Sequence, residues 1–217
     1  MRRSAMTLFL SAAVLVVSAA AAEKERTLRF GKADLGRAPA GWTVDRTGKG
    51  EGSVWKVVAD ATAPSGGGVA LAQTAESPDK MFNLCVFDDG RWKDVELRVA
   101  FKAVRGKLDQ GGGLVWRYRD ADNYYVARMN PLEDNLRLYK VVDGKRTQLE
   151  TKEELKVPAN EWHTLGVAMK GDRIEVRLDG KKYLEAADTT FPTAGKVGLW
   201  SKADAQTYFD DFRVSVP

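Results

Sequence analysis

The stretch from Gly111 to Arg146, GGGLVWRYRDADNYYVARMNPLEDNLRLYKVVDGKR, decides the fold. Apolar and polar side chains alternate along it with the two-residue period of a half-buried strand. Leu114, Trp116 and Tyr118 fall on one side, and Val115, Arg117 and Arg119 on the other. After a polar break, Tyr125, Ala127 and Met129 form an apolar row opposite Tyr124, Val126 and Arg128. Leu136 and Leu138 then alternate with Arg137 and Tyr139. The breaks carry turn residues: 120–123, 130–134 with Pro131 inside, and Asp143-Gly144, a pair suited to a hairpin that needs positive φ. The pattern predicts three or four consecutive antiparallel strands. A one-residue slip would turn every buried side chain to water, so the register is fixed.

Outward from this stretch the same period recurs, and no amphipathic helix of useful length follows Glu23. Strands are expected at 27–30, 42–45, 53–58, 69–73, 82–87 and 94–104 before it, and at 147–151, 162–170, 173–178, 181–185, 195–201 and 206–216 after it. Gly or Asp-Gly punctuates them at the spacing of a β-sandwich or barrel. Residues 64–68, Pro-Ser-Gly-Gly-Gly, read as a loop within one domain, because strands flank them at ordinary loop distance. One helical turn fits 152–155, ahead of Pro158. The last strand is expected to pair with the first.

Arg2 and Arg3, an apolar run at 8–17 and small residues up to Ala22 have the form of a secretory signal peptide cleaved after Ala22. The apolar run is too short for a permanent span. Residues 23–217 are then the mature domain, exported to the periplasm or the exterior, with no membrane span. Losing Arg2 and Arg3 lowers the formal charge from +4 to +2, which is no footprint for nucleic acid. Cys85 is the only cysteine, so no intrachain disulfide can form and stability must come from burial. Six Trp, eight Phe and six Tyr suffice for one sizeable core, and the chain is expected to be a monomer.

These strands and turns resemble the concanavalin A-like lectin/glucanase superfamily, an all-β jelly-roll sandwich of two antiparallel sheets. More narrowly they resemble exported laminin-G-like domains and the domain named after 3-keto-disaccharide hydrolases. The resemblance is carried by Gly112-Gly113-Leu114-Val115-Trp116-Arg117, Asp122-Asn123-Tyr124-Tyr125, Leu138-Tyr139-Lys140 with Asp143-Gly144, and Glu161-Trp162-His163. It continues through Asp179-Gly180, Gly195-Lys196-Val197-Gly198-Leu199-Trp200 and Phe209-Asp210-Asp211-Phe212. It implies a groove on the concave sheet or its edge loops, used for sugars by many relatives. Sugar-cleaving glucanases of the superfamily carry Glu-x-Asp-x-x-Glu on a strand, which projects alternate carboxylates into the groove. This chain has no such run.

Arg117, Arg119, Tyr124, Arg128, Arg137 and Tyr139 are the candidate carbohydrate-binding set. If the strands pair as a meander with the apolar rows inward, these six share the opposite surface. Aromatic rings stack on pyranose faces, and guanidinium forks bond hydroxyls or acidic-sugar carboxylates. The ordinary alternative is a solvated face whose arginines meet nearby Asp and Glu. Asp94 with Glu96 and Glu175 with Asp179 are the alternating carboxylate pairs available for acid and base work, and each also reads as a solvent-facing or turn position. His163, the only histidine, reads as an edge or core residue with one hydrogen bond, and Cys85 as a buried thiol. Trp92 is expected at an exposed groove edge. Asp210 and Asp211, beside the last strand, resemble the position of a structural calcium in many sugar-binding jelly rolls; no cofactor is otherwise required. The leading expectation is non-catalytic carbohydrate recognition. A 3-keto-disaccharide-type glycoside hydrolase and a laminin-G-like protein-interaction module are the alternatives.

Overall fold

The computed structural model describes residues 25–217, so the signal-peptide reading of 1–22 lies outside the described residues. Fifteen strands form: β1 Arg26–Leu28, β2 Trp42–Thr47, β3 Trp55–Ala59, β4 Val69–Gln73, β5 Phe82–Trp92, β6 Val95–Arg105, β7 Gly112–Asp120, β8 Asn123–Asn130, β9 Asn135–Val142, β10 Lys145–Lys152, β11 His163–Lys170, β12 Arg173–Leu178, β13 Lys181–Ala187, β14 Gly195–Lys202 and β15 Gln206–Ser215. One 3₁₀ turn, Lys32–Asp34, is the only helical segment among the described residues. The turn expected at 152–155 does not form; β10 runs through Lys152 and the chain then continues irregularly.

The strands make two antiparallel sheets. The front sheet has the order β10-β9-β8-β7-β14-β5-β2; the back sheet has the order β13-β12-β11-β6-β15-β4-β3, with β1 also on β15. The first strand therefore pairs with the last, Arg26 opposite Val214. Between the sheets, Val95, Leu97, Val99 and Phe101 of β6 meet Leu114, Trp116, Tyr125, Ala127, Met129, Leu136 and Leu138 in one buried cluster. Burying aliphatic and aromatic area at about 25 cal/mol per Å² is the main stabilising term. No disulfide contributes, and the single thiol, Cys85, is buried with its pKa pushed up by desolvation. Trp92 is half-buried against this core and not free at an edge, because β5 continues past Asp88 to reach it.

Several strand pairs carry bulges, and the one in β7 moves predicted site residues. A bulge between Trp116 and Asp120 puts Arg117 at φ 45°, so the alternation changes phase. Tyr118 turns to the outer face of the front sheet, and not inward with Leu114 and Trp116 as the alternation predicts. Gly195 permits the bulge: a Cβ there would stand 2.4 Å from the Arg117 carbonyl carbon.

The outer face of the front sheet holds a second apolar cluster, which includes Leu84, Val86, Val115, Tyr118, Tyr124, Val126, Val141 and Trp200. Its coverage comes from curvature. Thr47 on edge strand β2 lies four strands from Tyr124 on β8, roughly 19 Å on a flat sheet. Yet their hydroxyls are 2.7 Å apart, and Thr47 also donates to the Ala121 carbonyl. Asp45 likewise accepts the Tyr118 hydroxyl. Twist of about 20–25° per strand turns β2 nearly across β8, so β2 meets the β7–β8 turn over the outer face and covers Tyr118 and Tyr124.

Candidate functional site

Further along the same face Phe82 from β5, Trp200 from β14 and Tyr139 from β9 are buried together in the outer cluster. Phe82 and Trp200 have ring centroids 5.5 Å apart. Over them lies Arg146 of β10, its guanidinium carbon 4.4 Å from the Tyr139 ring centroid, 4.9 Å from Phe82 and 5.9 Å from Trp200. The hairpin places it there: the Asp143-Gly144 turn sets Arg146 opposite Val141, and Val141 belongs to the outer cluster.

A charged network borders these rings. Arg128 donates to Glu133 at 2.7 Å and to the Asn135 side chain, and Arg137 reaches Glu153 at 3.2 Å and the Tyr139 hydroxyl at 3.5 Å. Lys202 pairs with Asp79 at 2.8 Å and stands 3.8 Å from Asp109. Asp109 accepts the Gly111 N–H at 2.7 Å and is 2% exposed at its side chain. Burial pushes its carboxyl above the usual range, against the pull of Arg128 and Lys202. Glu133 moves the other way, since Arg128 and Arg137 together outweigh its burial and hold it below the usual range. Three buried donors in this region, Arg128 Nε, Asn130 Nδ2 and Arg146 Nη1, have no hydrogen-bond partner within the described chain. Trp200 Nε1 also faces the Tyr124 hydroxyl without making a well-formed hydrogen bond. Unmet buried donors cost about 1–3 kcal/mol each, so such a cluster calls for water or a hydroxyl-rich ligand.

Of the six residues expected to share this surface, the structure brings Arg128, Arg137 and Tyr139 together. Arg117 leaves it. The bulge directs its guanidinium between the sheets' end loops, where it donates to the carbonyls of Lys93 (2.9 Å), Gly171 (2.6 Å) and Phe191 (2.6 Å). Arg119 follows it, packing over Phe191 and reaching Thr193. Tyr124 stays on the face but is buried beneath Thr47. Arg128 is itself buried and paired, so only Arg137 of the predicted arginines is both on the outer face and part-exposed. Arg146 and Asp109 were not in the expected set. The parity of β10 across a two-residue turn would have found Arg146; Asp109 sits in a loop and left no signal.

The outer face of the back sheet is the competing location. It has a hollow of about 420 Å³ bounded by Pro64, Trp162, His163, Asp211 and Arg213, and a smaller one of about 150 Å³ over Gly166 and Ala168. Volume favours it, and His163 Nε2 is buried there without a partner, but its cations are already neutralised. Its arginines are paired on their own strands, Arg98 with Glu96 (2.8 Å), Arg177 with Glu175, and Arg213 with Asp211 (2.8 Å). This is how a solvated charged face is built. Both candidate acid–base pairs are thereby separated. Glu96 lies on this face while Asp94 accepts the Gly171 N–H at 2.8 Å, and Asp179 holds His163 at 2.9 Å and the Thr164 N–H.

Asp210 and Asp211 do not fit a calcium ion held by the pair. Asp210 is buried, with Oδ2 accepting the Ser65 N–H at 2.8 Å and Oδ1 unpartnered, whereas Asp211 is committed to Arg213. Calcium needs six to eight converging oxygens, and among the described residues no three His, Cys, Asp or Glu side chains gather.

With the geometry in place, residues 33–215 match the model of the 3-keto-alpha-glucoside-1,2-lyase-like domain. The chain belongs to this family. Solved structures share its sandwich. A carbohydrate-binding module, CBM66, of Bacillus subtilis is 22% identical with a TM-score of 0.61, over 81% of this chain and 95% of that one. A galectin-like protein of unknown function from Bacillus subtilis is 10% identical with a TM-score of 0.56, over 88% and 98%. The β-glucanase of Bacillus licheniformis is 13% identical with a TM-score of 0.52, over 83% and 100%. These likenesses establish the concanavalin A-like jelly-roll fold. No curated protein matches the chain.

Proposed function

We propose that this domain is an exported, non-catalytic module that binds a carbohydrate on the outer face of its front sheet. The observation that carries the reading is the set of buried N–H donors without partners on the outer side of the front sheet, Arg128 Nε and Asn130 Nδ2 from β8 and Arg146 Nη1, the last lying over Phe82, Tyr139 and Trp200. Unpartnered donors at the rim of a buried aromatic cluster offer partners for a sugar's hydroxyls, with Arg146 lying between the rings and the ligand. CBM66 of Bacillus subtilis, which shares the fold, is a carbohydrate-binding module.

A glycan array probed with the chain from Glu23 onward tests it, followed by calorimetry on Tyr139→Ala. Loss of the ring is expected to weaken binding by about 1–3 kcal/mol. Absence of binding to every glycan, or unchanged affinity in Tyr139→Ala, refutes the assignment.

One observation favours catalysis by the 3-keto-glucoside route instead. Asp109 and Glu133 flank Arg128 with carboxyl pKa values pushed apart, the signature of an acid and a base. Asp109 is closed off beneath Lys202 and the Gly111 backbone, which favours binding over turnover. The wild-type chain is expected to leave 3-keto-α-glucosides intact; turnover that Asp109→Asn abolishes would replace the binding reading with the catalytic one.

A further inference from the structure

Three arginines gather on the outer face of the front sheet, and two are already neutralised. Arg128 is paired with Glu133, and Arg137 with both Glu133 and Glu153. Arg146 has no carboxylate partner among the described residues, and its Nη1 is buried without any hydrogen bond. The nearby Lys202 holds Asp79 at 2.8 Å, and Asp79 acts on Arg146 only at longer range, so Arg146 alone of the group has no carboxylate in ion-pair contact. Its guanidinium is held against Tyr139, Phe82 and Trp200. Contact with aromatic rings offsets part of the cost of desolvating the charge. It supplies no acceptor for the in-plane N–H groups, whose fork matches a carboxylate in two parallel bonds. A neutral hydroxyl would satisfy one donor and leave the charge uncompensated. A carboxylate does both.

We propose that Arg146 is the specificity-determining residue of this site and that it selects a carboxylate-bearing sugar, a uronic acid unit of an acidic glycan. The inference rests on the carbohydrate-binding reading above. The neighbouring ion pairs sharpen the choice. Glu133 and Asp79 already balance Arg128 and Lys202, so a ligand gains most from its anionic group only where it meets Arg146.

The test is calorimetry on the full mature chain with oligomers of galacturonate, glucuronate, mannuronate and guluronate, each beside its carboxyl-reduced counterpart, at low and high NaCl. Wild type is expected to bind at least one uronan roughly 10- to 100-fold more tightly than the reduced form. That preference should shrink in high salt. Arg146→Ala should erase it. Arg146→Lys, which keeps the charge without the fork, should retain only part of it, and both variants should melt within a few degrees of wild type, as expected for a part-exposed site. Equal affinity for acidic and reduced oligomers, or a preference that survives Arg146→Ala, overturns the inference and leaves carbohydrate binding standing. Failure to bind any uronan, reduced oligomer or neutral array glycan overturns both.

Discussion

The buried guanidinium of Arg117 ties the sandwich together at one end, so replacing it is expected to cost stability. Its guanidinium donates to carbonyls from three segments far apart in sequence, at Lys93, Gly171 and Phe191, and lies 3.7 Å from Asp94. Hydrogen bonds to a charged donor contribute about 1.5–3 kcal/mol each, a nominal ~4.5–9 kcal/mol for three. Burial opposes this by disfavouring the charge, and it lowers the pKa of the guanidinium. Arg117→Met, which keeps the side chain's length but removes every donor, leaves three carbonyls unpaired and is expected to destabilise by about 3–5 kcal/mol. For a domain of this size that is a fall in Tm of roughly 6–20 °C. Arg117→Lys should lose about half as much, since one ammonium reaches fewer carbonyls at their present positions. Urea denaturation followed by tryptophan fluorescence measures both. A loss below about 1 kcal/mol in Arg117→Met would show that water replaces the guanidinium at no cost, and the clamp would be discarded.

Asp188 carries a pH-dependent contribution. Burial opposes its ionisation, but Lys140, Thr190 and Tyr125 donate to it and bring its pKa down from 3.8 to about 2. Its folded pKa is depressed, so the stabilisation is fully present above about pH 4 and is lost as pH falls toward 2. Asp188→Asn should cost about 2 kcal/mol at pH 7 and flatten the acid limb of the stability curve; an unchanged limb would count against the network. For calcium, chelator is expected to leave Tm unchanged, because Asp211 is occupied by Arg213. A fall in Tm that added calcium restores would instead place the ion at Asp210.

Nearly every strand was legible because the segments alternate over most of their length and their turns carry Asp, Asn, Pro or Asp-Gly. The failures share one cause, long-range geometry. Nothing near Arg117 announces a residue at φ 45°; the bulge is set by the close approach of Gly195, almost eighty positions away in sequence. Tyr124 reads as an outward aromatic and is outward, yet Thr47 seals it after four strands of accumulated twist. Local pattern fixes the side of a sheet on which a residue lies. It cannot say whether that side is open. Arg146 shows the converse, since hairpin parity alone places it beside Tyr139.

Strand β15 lies in the middle of the back sheet, between β6 and β4, and also receives β1. The two parts of that sheet therefore cannot join until β15 has been delivered. Strands β1, β4 and β6 must wait for their shared neighbour, and folding of this sheet should be slow. Removing Gln206–Ser215 would not trim an edge but would split the eight-stranded sheet, with β4 and β3 on one side and β6, β11, β12 and β13 on the other.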